Sequence, residues 1–220
     1  MPMAVCPENG LVIYKEFSED EIARLEPLLR NPAYQALSGD VPRYRAAWLL
    51  RNLDRDKVFS YVWLLNQASW EADRDPVLKA RYKREFAEAV ADLPQQPENG
   101  MWLSMQVHAV NAWRELGDLG RAQATLAALP LASLKTEISA AEATERDHQV
   151  ARANRSLIAF ANSISETIKR GDISPEPLPL IPLRFAAEKC RALAKNSSDL
   201  IDEFCKTGAI RERIKLMGED

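Results

Sequence analysis

Between residues 101 and 130 the apolar positions Leu103, Val107, Val110, Trp113 and Leu116 recur in steps of three and four, one stripe along a helix. Ser104, His108, Asn111 and Glu115 form a second, polar stripe on the same helix. Gly117 follows the last apolar position, where a left-handed residue closes a helix, and Asp118 can cap the next one. The second helix turns Ala122, Leu126 and Leu129 inward before Pro130 ends it. A helical hairpin is predicted. Residues 57–94 read as a longer copy, with Ser69-Trp70-Glu71-Ala72 opposite Ala112-Trp113-Arg114-Glu115 and a Leu-Pro pair closing each unit. The stretch 73–76 replaces the glycine turn, and Tyr82, Phe86, Ala89, Val90 and Leu93 supply the second helix's apolar face. Two aligned units point to a repeat array in which each hairpin buries its face on its neighbour.

The flanking patterns are also helical. Residues 11–14 could extend as a strand, but no second alternating run pairs with them, so an arm packed on helices is expected and no sheet. Ser18 with Glu21 makes a capping box, Phe17 with Ile22 a hydrophobic staple, and Pro27 should interrupt the helix that starts at Glu19. Pro42 opens the next helix, whose face holds Tyr44, Ala47, Trp48 and residues 50–53. Residues 131–144 are Ala-rich and weakly patterned, and both helix and loop stay open there. Val150, Ala153, Leu157, Ile158, Ala161, Ile164 and Ile168 restore a continuous stripe, which Gly171 and Asp172 end. Four prolines between 175 and 182 demand an extended segment, and Leu178, Leu180 and Ile181 within it argue for a strap packed on the protein. Phe185, Ala186, Lys189 and Leu193 then mark a helix, and Ile210, Ile214 and Met217 a last short one.

The order of Trp113, Leu116-Gly117-Asp118, Ala122, Leu126 and Pro130 resembles a tetratricopeptide repeat over about 30 residues. Val110, Leu129 and the early proline depart from that pattern. The resemblance implies an all-α fold of antiparallel helical hairpins stacked in a short right-handed array, with the first helices lining a groove. It also implies that Asn111 occupies a position that holds a partner's backbone. The expected organisation is a single helical domain. Within it, residues 1–40 form an arm and capping helix, 41–170 the array, 171–183 the strap and 184–220 the C-terminal helices.

Charge and cysteine content narrow the classes. With 29 basic against 32 acidic residues interspersed along 220, no field favours nucleic acid or an anionic membrane surface. No apolar run approaches a membrane span, and Cys6, Cys190 and Cys205 are too scattered for a disulfide framework. A reducing, cytoplasmic setting is expected, with Cys190 and Cys205 as small buried hydrophobes.

Neither His108 nor His148 has a ligand at metal spacing, so no catalytic, cofactor or metal residue is assigned. Lys79, Arg81, Lys83 and Arg84 read as a solvated face balanced by neighbouring carboxylates. The candidate site is a partner-binding groove made of Ser104, His108, Asn111, Arg114 and Glu115, with Trp63 and Trp102 as aromatic contacts. Lying off the packing stripe, the polar residues should contribute little to folding. The expected function is a non-catalytic helical-repeat protein that binds a protein or peptide, with a homodimer left open. The alternative is an enzyme or enzyme accessory whose site gathers scattered Glu, Arg and His residues.

Overall fold

The computed structural model describes residues 3–132, 145–196 and 203–217, without the side chains of 145–148, 195, 196 and 203. The described residues are mostly helical, at 69%, with one two-stranded sheet, consistent with an all-α protein. The first compact unit is Met1–Pro130 and the second Leu131–Asp220.

The first unit begins with two short strands, β1 (Ala4–Val5) and β2 (Val12–Ile13), paired antiparallel with Val5 opposite Val12. Ala4 and Val5 show no alternating run of their own, so the pairing was not legible, and the expected sheetless arm is corrected. α1 (Glu19–Leu29) starts at Ser18 with the capping box in place. It runs through Pro27 instead of breaking there, because a proline in the last turn removes only one amide bond near a frayed end. Ile22, the second member of the expected staple, is exposed, and Phe17 packs edge-on against Tyr14 at 5.1 Å. After the single turn α2 (Pro32–Gln35), helices α3 (Pro42–Leu53), α4 (Val58–Glu71), α5 (Pro76–Ala91), α6 (Gly100–Glu115) and α7 (Leu119–Ala127) follow. Each packs on the next, and α4 also meets α6.

The ends of these helices follow local chemistry. Asp75 accepts from the amides of Val77 and Leu78 and so caps α5, with Pro76 at a position that needs no amide donor. Gly117 has φ +80°, its N–H donates to the Arg114 carbonyl, and the Asp118 N–H reaches the Trp113 carbonyl at 2.9 Å. These two bonds form the Schellman closure that the Leu-Gly-Asp turn predicts. The core beneath α1–α3 gathers Leu25, Leu29, Tyr34, Leu49 and Leu53.

In the second unit α8 (Glu145–Lys169) closes in the same way at Gly171, where φ is +66° and the Asp172 N–H donates to the Thr167 carbonyl. Its buried stripe runs Ala151, Ile158, Ala161, Ile164, Ile168, while Val150 is exposed, so the expected stripe is out of phase at its start. The proline-rich strap contains one 3-10 turn at Leu178–Leu180, and its Leu178 and Ile181 pack on α9 (Leu183–Asn196) and α10 (Gly208–Leu216), as their apolar character predicts. α9 buries Ala186, Ala187 and Cys190 while Phe185 and Leu193 lie exposed, a second shift of phase. Cys190 and Cys205 form a disulfide with Cα atoms 5.5 Å apart, which replaces the expectation of two separate thiols. Fifteen residues of separation gave no spacing signal. Packing of α9 against the turn at Glu203–Lys206 brings the two together. Residues 133–144 lie outside the described residues.

Candidate functional site

α4 carries Trp63, Asn66 and Trp70 at i, i+3 and i+7, one face of a helix. Opposite, α6 presents His108, whose ring lies 5.9 Å from Trp63 and 5.8 Å from Trp70, while the two indoles stand edge to face at 5.6 Å. Such T-shaped contacts place the positive edge of one ring on the negative face of another. The three rings therefore pack as one cluster bridging α4 and α6. Trp70 nevertheless keeps 45% of its surface exposed. Burial pushes the His108 imidazole below its usual range, so it is neutral at physiological pH.

Asn66 lies in register between the two tryptophans and is only 4% exposed. Its Nδ2 has no hydrogen-bond partner among the described residues. A buried amide left unpaired costs about 1–3 kcal/mol, a cost that the packing of α4 carries at this position.

One turn beyond His108 the polar stripe turns inward. Asn111 Nδ2 donates to Glu115 Oε1 at 2.9 Å, Arg114 Nε donates to Asn111 Oδ1 at 2.9 Å, and Lys83 of α5 pairs with Glu115. Arg114 is fully buried and Lys83 nearly so. Burial pulls the Lys83 ammonium below its ordinary range, with Glu115 opposing.

The candidate residues therefore divide. Trp63 and His108 share one cluster, and Ser104 lies half-buried a turn earlier on α6. Arg114 and Glu115, expected to face a partner, instead belong to a buried ionic network, because α5 supplies a lysine that no spacing on α6 reveals. Lys83 is likewise corrected from a solvated face. Trp102 is 3% exposed and sits with Ala87, Val90 and Thr125 beside a 200 Å³ cavity between α5, α6 and α7, away from the ring cluster. Asn111 spends its amide within the network, so the asparagine with unused capacity is Asn66. Trp70, read as the counterpart of Trp113, differs from it: Trp113 is buried, and lies one residue farther from its helix end. The signal that could have found this site is the spacing of Asn66 at i+3 from Trp63 and i−4 from Trp70, which sets all three on one helical face.

Among the described residues no His, Cys, Asp or Glu group is placed to hold a metal ion, and no helix is long and apolar enough to cross a membrane. The side chain of His148 lies outside the described residues. Comparison with known protein families, with curated proteins and with solved structures finds no match.

Proposed function

We propose that the protein is a non-catalytic interaction module whose helices α4–α7 stack as two hairpins of a tetratricopeptide-like right-handed array, and which binds an extended peptide segment of a partner protein. The binding face is the one shared by α4 and α6. The observation that carries this reading is the exposed Trp70 in its ring cluster beside the unpaired amide of Asn66. An aromatic anchor with one face open is what an apolar side chain of a bound peptide can complete. Ser104 and His108 extend the face along α6, and Trp63 supports Trp70 from beneath.

The test is selection of peptides from a displayed random library on the full chain, followed by affinity measurement on Trp70→Ala. Loss of a central aromatic contact costs about 2 kcal/mol or more, about thirtyfold in affinity. Trp70 is exposed enough for the variant to keep its fold, which a thermal melt would check. Selected peptides that bind Trp70→Ala as well as the parent would overturn the assignment.

A further inference from the structure

At the end of the α4–α5 hairpin away from its connecting turn lies a cleft of 690 Å³, within the range of small-ligand sites. Its floor is Val58, Tyr61 and Ala89, on a different face of α4 from Trp63 and Trp70. One wall, at the corner between α3 and α4, carries Arg51, Arg55 and Lys57 together with a single carboxylate, Asp54, and is cationic on balance. The facing wall, on α5, carries Glu85, Glu88 and Asp92.

Lys57 on one wall, and Glu88 and Asp92 on the other, run against the dipoles of the helices whose ends they occupy. Lys57 is the N-cap residue of α4, a helix whose first turn no side chain caps, so its cation stands at the end where backbone N–H groups already concentrate positive charge. Asp92 is the C-cap of α5 and Glu88 stands in its last turn, where free carbonyls concentrate negative charge and no basic residue offsets them. Each arrangement disfavours the helix that bears it, and exchanging the signs would relieve both. Because the helices are antiparallel, the two inversions meet at one cleft, positive across from negative. Arg55, Lys57, Glu88 and Asp92 form no ion pair among the described residues, so the walls do not neutralise each other.

One charge on each wall is held by a tyrosine. Arg51 Nη1 donates to the Tyr61 hydroxyl at 3.0 Å with the guanidinium over the ring, and the Tyr44 hydroxyl donates to Glu85 Oε2 at 2.7 Å. A cleft with a mainly cationic wall across from an anionic one disfavours a ligand of single charge and suits one that carries both.

We propose that this cleft binds a short peptide with free termini, its carboxylate at the α4 N-terminus against Arg51, Arg55 and Lys57, its ammonium at the α5 C-terminus against Glu85, Glu88 and Asp92. A fully extended tripeptide spans roughly 10 Å between its two charged ends. The site shares no residue with the ring cluster on α4 and α6 and does not depend on that face binding anything.

The test titrates trialanine, N-acetyl-trialanine, trialanine amide and the doubly blocked peptide into the full chain, followed by amide NMR. Trialanine should give saturable shifts in residues 55–61 and 85–92, and blocking either terminus should weaken binding tenfold or more. Lys57→Glu and Asp92→Lys should each weaken trialanine binding tenfold or more and raise Tm, since each restores the charge its helix end prefers. Equal binding by any blocked peptide, no saturation by about 10 mM, or a lowered Tm in both variants would overturn the proposal.

Discussion

Removing the charge of Glu115 strikes a carboxylate tied to three partners inside the first unit. Its carboxylate accepts from Asn111, pairs with Lys83, and lies 3.7 Å from Arg114 Nη2, with the side chains of all three charged residues 9% exposed or less. Glu115→Gln keeps the shape but leaves two buried cations facing an uncharged amide. Breaking a buried pair by removing one partner costs about 3–5 kcal/mol, and so little exposure leaves little solvent screening to reduce it. At about 2–4 °C per kcal/mol for a chain of this size, Tm should fall by roughly 10 °C. The five tryptophans all precede Pro130, so tryptophan fluorescence during urea unfolding reads this unit alone. Adding Lys83→Met should recover a large part of the loss, because it removes one stranded charge and leaves an apolar chain of similar length. A loss under about 1 kcal/mol in Glu115→Gln, or no coupling in the double variant, would refute the buried network. The same reasoning reverses the expectation that Asn111 and Arg114 can be truncated without harm: Arg114→Ala should lower stability.

Gly117→Val should cost about 1–2 kcal/mol, read as a lowered Tm. Nothing lies within 4 Å of the added Cβ, so the loss reports the left-handed backbone alone. His108 is held neutral by burial, so below its unfolded pKa the unfolded chain binds the proton and the folded chain resists it. Its contribution is therefore intact above about pH 6.5 and declines as pH falls below that. The stability difference between the parent and His108→Gln, followed by urea unfolding from pH 7.5 to 5.5, should shrink or reverse towards the acid end. In the second unit the disulfide closes a loop of 15 residues, and Cys190→Ala with Cys205→Ala should destabilise it by about 3 kcal/mol. Far-UV melts would register that loss. Alkylation of the unreduced protein should label Cys6 alone.

Helix positions, caps and stops were written locally. Ser18 with Glu21, Asp75 before Pro76, and Gly117 and Gly171 after their last apolar positions each satisfy backbone groups within a few residues, so composition and spacing suffice to place them. What spacing could not supply was the partner across the helix. The polar stripe of α6 looked solvent-facing because nothing in residues 101–115 announces that Lys83, from another helix, will neutralise Glu115 and take Arg114 and Asn111 into the interior with it. Trp70 and Trp113 occupy matching places in the sequence, yet a one-residue offset from the helix end rotates a side chain by about 100°, enough to exchange core for surface. The same sensitivity explains Val150 and Ala151 on α8. Asn66, one of three polar residues between Leu65 and Trp70, acquires meaning only because α6 brings His108 against Trp63 and Trp70 on either side of it. The bond between Cys190 and Cys205 likewise depends on how α9 meets the turn before α10. Local sequence determined where the backbone turns and stops; the faces those helices share, and the charges buried between them, were decided by packing.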